Sequence, residues 1–288
     1  IDNNNYGTIS IQRAFAKSSN TGFVRLEMAL GIDKVIATAK KMGITSTLEA
    51  NPSLTLGQSN VTMLDMASAY AIIANGGVRV DPTPVLTITN SKGEVIVDNT
   101  TPDTSLSKTH SEQVISPEVA HAATEVMKTV VNTSEGTGQE AALPNGQVVA
   151  ATTCTSTEYK DITFCGITPQ MAVAVWLGDP ANVKTLPARV GAGDVFRTFM
   201  SAVLDGQPTE QFPQAADPTY KNFSDPTYHV GGSASSSNTD DEKDDEKKKD
   251  AEDKDADKGK DDPAPTPTPT PAPTATPTPD PTPTPTPD

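Results

Sequence analysis

Three groups of residues in this chain carry side chains suited to chemistry. The first is Ser18-Ser19-Asn20, two hydroxyls and a carboxamide inside a stretch with helical apolar spacing. The second is Thr152-Thr153-Cys154-Thr155, a run dense in hydroxyls, and the third is the chain's two cysteines, Cys154 and Cys165. A hydroxyl beside a reacting group can pass a proton, and a thiol can be oxidised or bind metal. Taken alone, each group also has a plain reading: a polar helix cap, an edge strand of high β-propensity, and two small core residues. A two-cysteine metal site is disfavoured without a nearby histidine, so no metal or other cofactor is expected. His110, His121 and His229 are scattered, and none has a serine and carboxylate that would make a triad. The one Ser-x-x-Lys string, Ser105-Leu106-Ser107-Lys108, sits in a polar Thr/Ser/Pro stretch and is read as coincidence.

The elements that must position these groups follow from apolar periodicity and end signals. Ile9, Ile11, Phe15, Val24 and Met28 suggest a helix near 9–30, and a second runs over 32–42, with Asp33 near its start and Gly43 as its stop. Thr62-Met63-Leu64-Asp65 has the capping-box form before the apolar run 66–74, which Asn75-Gly76-Gly77 ends. Residues 85–97 read as a hairpin turning at 90–93. Ser116-Pro117-Glu118 opens a helix to Asn132 with proline at its first position. After the Gly-rich 135–138, strands are expected at 148–156, 162–166 and 171–178, then a helix at 193–204. Helices first, an antiparallel sheet later and a closing helix make an α+β class, the sheet flanked by helices.

Composition divides the 288 residues unevenly. The packed part is expected over 1–206 and a linker over 207–239. Residues 240–262 hold 13 acidic and 7 basic side chains without an aromatic, too little apolar surface to offset the entropy of ordering. Residues 263–288 alternate Pro and Thr, which favours an extended polyproline rod of ~80 Å at full length. Of the net charge of -15, 8 negative charges belong to these last two segments, so the charge describes a solvated tail. No basic stripe interleaves with aromatics, which argues against nucleic acid as a partner. No apolar run approaches the ~20 residues of a membrane span, and the residues from Ile1 onward do not read as a basic stretch followed by an apolar one, so the chain is expected to be a fragment. An anchor or export signal is therefore expected upstream, with an extracytoplasmic location at the cell surface or wall, where Pro/Thr-rich tails are common.

Longer strings tie these pieces together. Ser53-Leu54-Thr55-Leu56-Gly57-Gln58-Ser59-Asn60-Val61-Thr62, Met66-Ala67-Ser68-Ala69-Tyr70-Ala71, Ala74-Asn75-Gly76-Gly77, Gly136-Thr137-Gly138, Phe164-Cys165-Gly166-Ile167-Thr168-Pro169 and Trp176-Leu177-Gly178 occur in that order. Together they resemble the C-terminal part of a penicillin-binding transpeptidase domain of the bimodular wall-synthase type, over about two thirds of the chain. That family and the serine β-lactamases share a Ser-x-x-Lys nucleophile, a Ser-x-Asn turn and a Lys-Thr-Gly strand. The resemblance implies an N-terminally truncated transpeptidase fold, with Ser18-Ser19-Asn20 as the second motif and Thr152-Thr153-Cys154-Thr155 where the family carries Lys-Thr-Gly-Thr. It implies that Ser18 relays protons and Asn20 holds the substrate's peptide amide. Thr153 and Thr155 would contact its carboxylate, with Thr152 as a neutral hydrogen-bonding replacement for the lysine. The Thr155 N–H would form half of an oxyanion hole. The acylating serine is expected upstream, since only 17 residues precede Ser18.

The activity implied is peptidoglycan D,D-transpeptidation through a serine acyl-enzyme, with stem peptides and β-lactam antibiotics as ligands and an upstream glycosyltransferase domain in the full protein. The alternative is an impaired wall-binding or scaffold protein, because the third motif reads Thr152-Thr153-Cys154. If Thr155 faces Phe164 across the strands, Cys154 faces Cys165 and a disulfide is expected there; otherwise the two cysteines are unrelated core residues.

Overall fold

The computed structural model describes residues 6–220 apart from 182, 184 and 188–190. The acidic segment, the Pro/Thr-rich tail, His229 and the linker from 221 onward lie outside those residues. The helical start is built as α1 (Ile11–Ala16), α2 (Asn20–Leu30) and α3 (Ile32–Lys41). The single helix expected over 9–30 is therefore two, interrupted at 17–19. Ser18 takes a left-handed φ of 52°, and the Ser19 hydroxyl accepts from the Gly22 N–H to start α2. Serine competes for backbone groups in this way, which apolar spacing does not register.

Helix α4 (Met63–Ala74) begins where the capping pattern placed it, the Thr62 hydroxyl accepting from the Asp65 N–H at 3.1 Å. Asp65 is itself buried, and its carboxylate accepts from the N–H and hydroxyl of Thr45, both at 2.8 Å. Strands β1 (Val78–Val80), β2 (Thr87–Thr89), β3 (Val95–Asp98) and β4 (Ser111–Gln113) make two small antiparallel pairs, β1 with β4 and β2 with β3. Helix α5 (Pro117–Asn132) starts at Ser116 with Pro117 in its first turn.

The main sheet is antiparallel and ordered β5 (Ala150–Thr155), β6 (Asp161–Ile167), β7 (Ala172–Gly178). Period-2 alternation sends Ala151, Ile162 and Phe164 to one face, packed with Phe196 and Met200 of α6 (Ala192–Val203). The other face presents Ala150 and Ile167 to Ala74 of α4 and Met127 of α5. The rings of Phe164 and Phe196 lie 5.0 Å apart, both essentially solvent-free. Gly166 makes that approach possible: a Cβ there would come within 2.5 Å of the Phe196 ring and 2.7 Å of the Phe164 ring. Residues 207–214, given to a linker by composition, lie against this domain. Phe212 is buried, and Gln147 exchanges hydrogen bonds with the backbone of Glu210 at 2.8 and 3.0 Å.

Replacing Gly166 with alanine overpacks this contact and should cost about 1–3 kcal/mol. Phe196→Ala should cost about 3–5 kcal/mol through the cavity it leaves. Urea unfolding followed by circular dichroism measures both, and equal stability of the glycine variant would contradict the packing described.

Candidate functional site

Ser18 and Asn20 stand exposed at the junction of α1 and α2, Asn20 being the first residue of α2. The turn is fixed from behind: the Ser18 N–H donates to the Phe15 carbonyl and the Ser19 N–H to the Ala14 carbonyl, both at 2.9 Å. On β5, Thr152 and Thr153 are half-buried and Cys154 and Thr155 exposed. Among the described residues this strand pairs only with β6, so part of its backbone polar groups face outward, away from the sheet.

Among the described residues no hydrogen bond joins Ser18 or Asn20 to Thr152, Thr153 or Thr155. The Ser18–Asn20 turn and strand β5, taken as the two walls of the candidate site, are linked instead through the loop after α5. Its Thr137 hydroxyl lies 2.7 Å from that of Thr153. Two residues earlier, Glu135 accepts two hydrogen bonds from the Arg13 guanidinium, at 2.9 and 2.7 Å, and pairs with Lys17 at 3.2 Å. Hydrogen bonding to Arg13 and then to Lys17 holds the Glu135 carboxyl down to about 2. A depressed carboxylate contributes stability above its ordinary range and loses it as pH falls through the folded value, here near pH 2. The pairs are exposed, so that contribution is small.

Residues 1–200 match the family model for the penicillin-binding protein transpeptidase domain. The chain belongs to that family. It is 29% identical over 211 residues to penicillin-binding protein 2D of Bacillus subtilis strain 168, covering 71% of this chain and 29% of that protein. It is 30% identical over 215 residues to penicillin-binding protein 1A of Aquifex aeolicus strain VF5, covering 73% and 28%. The chain thus spans less than a third of the length of these relatives. Among solved structures it resembles the PonA1 protein from Mycobacterium tuberculosis in complex with penicillin V, with a TM-score of 0.65 and 27% identity over 77% of this chain and 64% of that one. Penicillin-binding protein 1A from Haemophilus influenzae shares the fold, with a TM-score of 0.62 and 20% identity over 73% and 36%.

Within this transpeptidase fold the cysteines do not pair. Cys154 faces Thr163, and Cys165 faces Thr152. The register differs by two residues from the one that would set the thiols opposite each other, with Thr153, not Thr155, across from Phe164. Diagonal positions of this kind are ~7 Å apart, against the ~4 Å between Cβ atoms that a disulfide needs. Both thiols are free. The turn decides the register: the Ser156 N–H donates to the Asp161 carbonyl, and the Asp161 N–H donates to the Ser156 hydroxyl, each at 2.8 Å. Burial pushes the Cys165 thiol up to about 12; burial and then Asp161 raise that of Cys154. Half-buried Tyr70 stands near both thiols, its phenol raised chiefly by burial.

The Ser105–Lys108 string lies in an exposed turn, and His110 contacts Asp103 at 3.3 Å on the surface. No three His, Cys, Asp or Glu side chains among the described residues are grouped to hold a metal ion. Sequence reasoning singled out neither Glu135 nor Arg13 and Lys17. The only available signal was the Gly-rich turn at 135–138, which marks a close approach without saying to what.

Two outcomes are expected. Followed by NMR, the Glu135 carboxyl titrates near pH 2 and returns toward the ordinary range of ~4 in Arg13→Gln. A maleimide labels one thiol per native chain and two in denaturant, and Cys154→Ser removes the native label; two fast-reacting native thiols would contradict the burial of Cys165.

Proposed function

We propose that this chain forms the substrate-holding part of a penicillin-binding D,D-transpeptidase whose acylating serine is supplied by a segment outside these 288 residues. The observation that carries the reading is the ordered match over residues 1–200, which includes both the Ser18–Asn20 turn and the exposed edge strand β5. In the reaction proposed, the serine oxygen attacks the carbonyl of a stem peptide's penultimate residue. The terminal D-alanine leaves as an amine, and an acceptor amine then displaces the serine to form the cross-link. Ser18 passes the serine's proton toward the leaving amine, and Asn20 holds the peptide amide. Thr153 and Thr155 hold the terminal carboxylate, and the Thr155 N–H stabilises the oxyanion. A β-lactam would occupy the same place as the peptide, a reading supported by the likeness to PonA1, which has been solved in complex with penicillin V. The reading sets the site outside the cytoplasm, in a protein that also carries a membrane anchor and a glycosyltransferase domain.

A second reading rests on Thr152 and Cys154. A hydroxyl supplies no positive charge for the carboxylate, and a cysteine side chain narrows a strand edge where the family has glycine. Both changes favour a wall-binding protein that turns over poorly.

Labelling with a fluorescent penicillin tests the two readings in the protein that carries this chain together with its upstream segment. The transpeptidase reading expects a covalent adduct, removed by replacing the upstream serine. Thr152→Lys with Cys154→Gly should speed labelling on the order of a hundredfold, the effect of one restored electrostatic donor. An absent adduct despite an upstream Ser-x-x-Lys would exclude the first reading.

A further inference from the structure

The ion pairs of Glu135 differ from the others among the described residues in what they join. Arg79–Glu112 spans paired strands, His110–Asp103 closes a surface loop seven residues apart, and the remaining pairs lie within a turn or along one helix, whereas Glu135 reaches back 122 residues to Arg13. Lys17, its second cation, caps the end of α1 and is followed directly by Ser18.

The loop that carries Glu135 is seated firmly. The Gly138 N–H donates to the Val130 carbonyl at 3.0 Å, and the Gly136 N–H donates to Thr133 at 3.2 Å. Gln139 donates its side-chain amide to the carbonyls of Ser134 and Gly136, at 3.2 and 3.0 Å. A Cβ on Gly136 would collide with the carbonyl oxygens of Thr129 and Val130, so the loop lies directly on the last turn of α5. That turn is anchored by Val130 and Val131, both in the core. From this base one side chain reaches each wall: Glu135 to α1 and Thr137 to Thr153 of β5.

We propose that Glu135 is a positioning residue that, through Arg13 and Lys17, sets the separation between the Ser18–Asn20 turn and β5. Thr137 is the matching contact on the strand side. The proposal rests on the transpeptidase reading for its functional meaning, but the geometry it describes is independent of any nucleophile. A bidentate carboxylate–guanidinium pair fixes direction as well as distance, which suits such a role. An exposed pair adds little to stability, so its loss should alter the cleft more than the melt. Carboxylate, guanidinium and ammonium together leave one positive charge next to the Ser18 turn.

The test uses the whole chain with nitroxides on Ser18→Cys and on native Cys154, and reads the distance between them by electron dipolar spectroscopy. Cys165 is buried and stays unlabelled under native conditions. The expected result is a narrow distribution that broadens at least twofold in Glu135→Gln and in Thr137→Val, and narrows again in Glu135→Asp. Salt at 1 M, where the screening length is ~3 Å, should broaden the parent chain and add nothing in Glu135→Gln. The salt series needs no variant at position 135 and so decides the matter even where a substitution unfolds the chain. An unchanged distribution in folded Glu135→Gln, or a parent distribution indifferent to salt, would overturn the proposal. Because penicillin plays no part in this measurement, its failure is distinct from failure of the acylation experiment.

Discussion

Both walls of the candidate cleft depend on the burial of one helix, α5. Its inner side contributes Met127 to the cluster shared with α4 and Val130 and Val131 to the cluster shared with α6. It is therefore held on both sides of the sheet's edge. Its final residue closes the contact with the strand, the Asn132 side chain donating to the Val149 carbonyl at 2.9 Å just before β5 begins. The loop it launches then meets α1 and β5 in turn. A shift of α5 along its axis would carry the Ser18 turn and the hydroxyl strand with it, so their arrangement is only as well defined as the packing of these few apolar side chains.

Much of this architecture was legible from local signals. Thr62 and Ser116 mark helix starts because each side chain satisfies an N–H that the helix leaves unpaired, and such caps are local in sequence. The strands of the main sheet were legible because their apolar alternation reflects two buried faces. Three features were not legible, each for a physical reason. The break at Ser18 depends on one residue adopting a rare backbone conformation amid continuous helical spacing. Strands β1 and β4 are three residues long, β4 exposed throughout and β1 half-buried at two positions, too short for a period to emerge. The β5–β6 register was misplaced by two residues, a slip that leaves every side chain on its correct face. Hydrophobic patterning cannot detect such a slip, and hydrogen bonds in the Ser156–Asp161 turn settle it.

The contacts that join the candidate site's elements were not legible. The family resemblance nominated hydroxyl residues on the Ser18–Asn20 turn and on β5, while nothing in the sequence linked position 13 to position 135. Contacts between distant surface charges leave no periodic trace. The same reasoning explains the cysteines: their spacing invites a bridge, while the real register sets one against Thr163 and the other against Thr152. A cross-link therefore does not account for Cys154.

The left-handed backbone of Ser18 also narrows which hydroxyl amino acid can stand there. Threonine differs from serine by one methyl group on the β-carbon, and β-branched side chains strongly resist a φ near 52°. A hydroxyl at this corner must come from serine, because the other small alcohol would pull the turn back toward a continuous helix or a strand. The choice between two chemically similar residues is made by chain geometry before any ligand arrives.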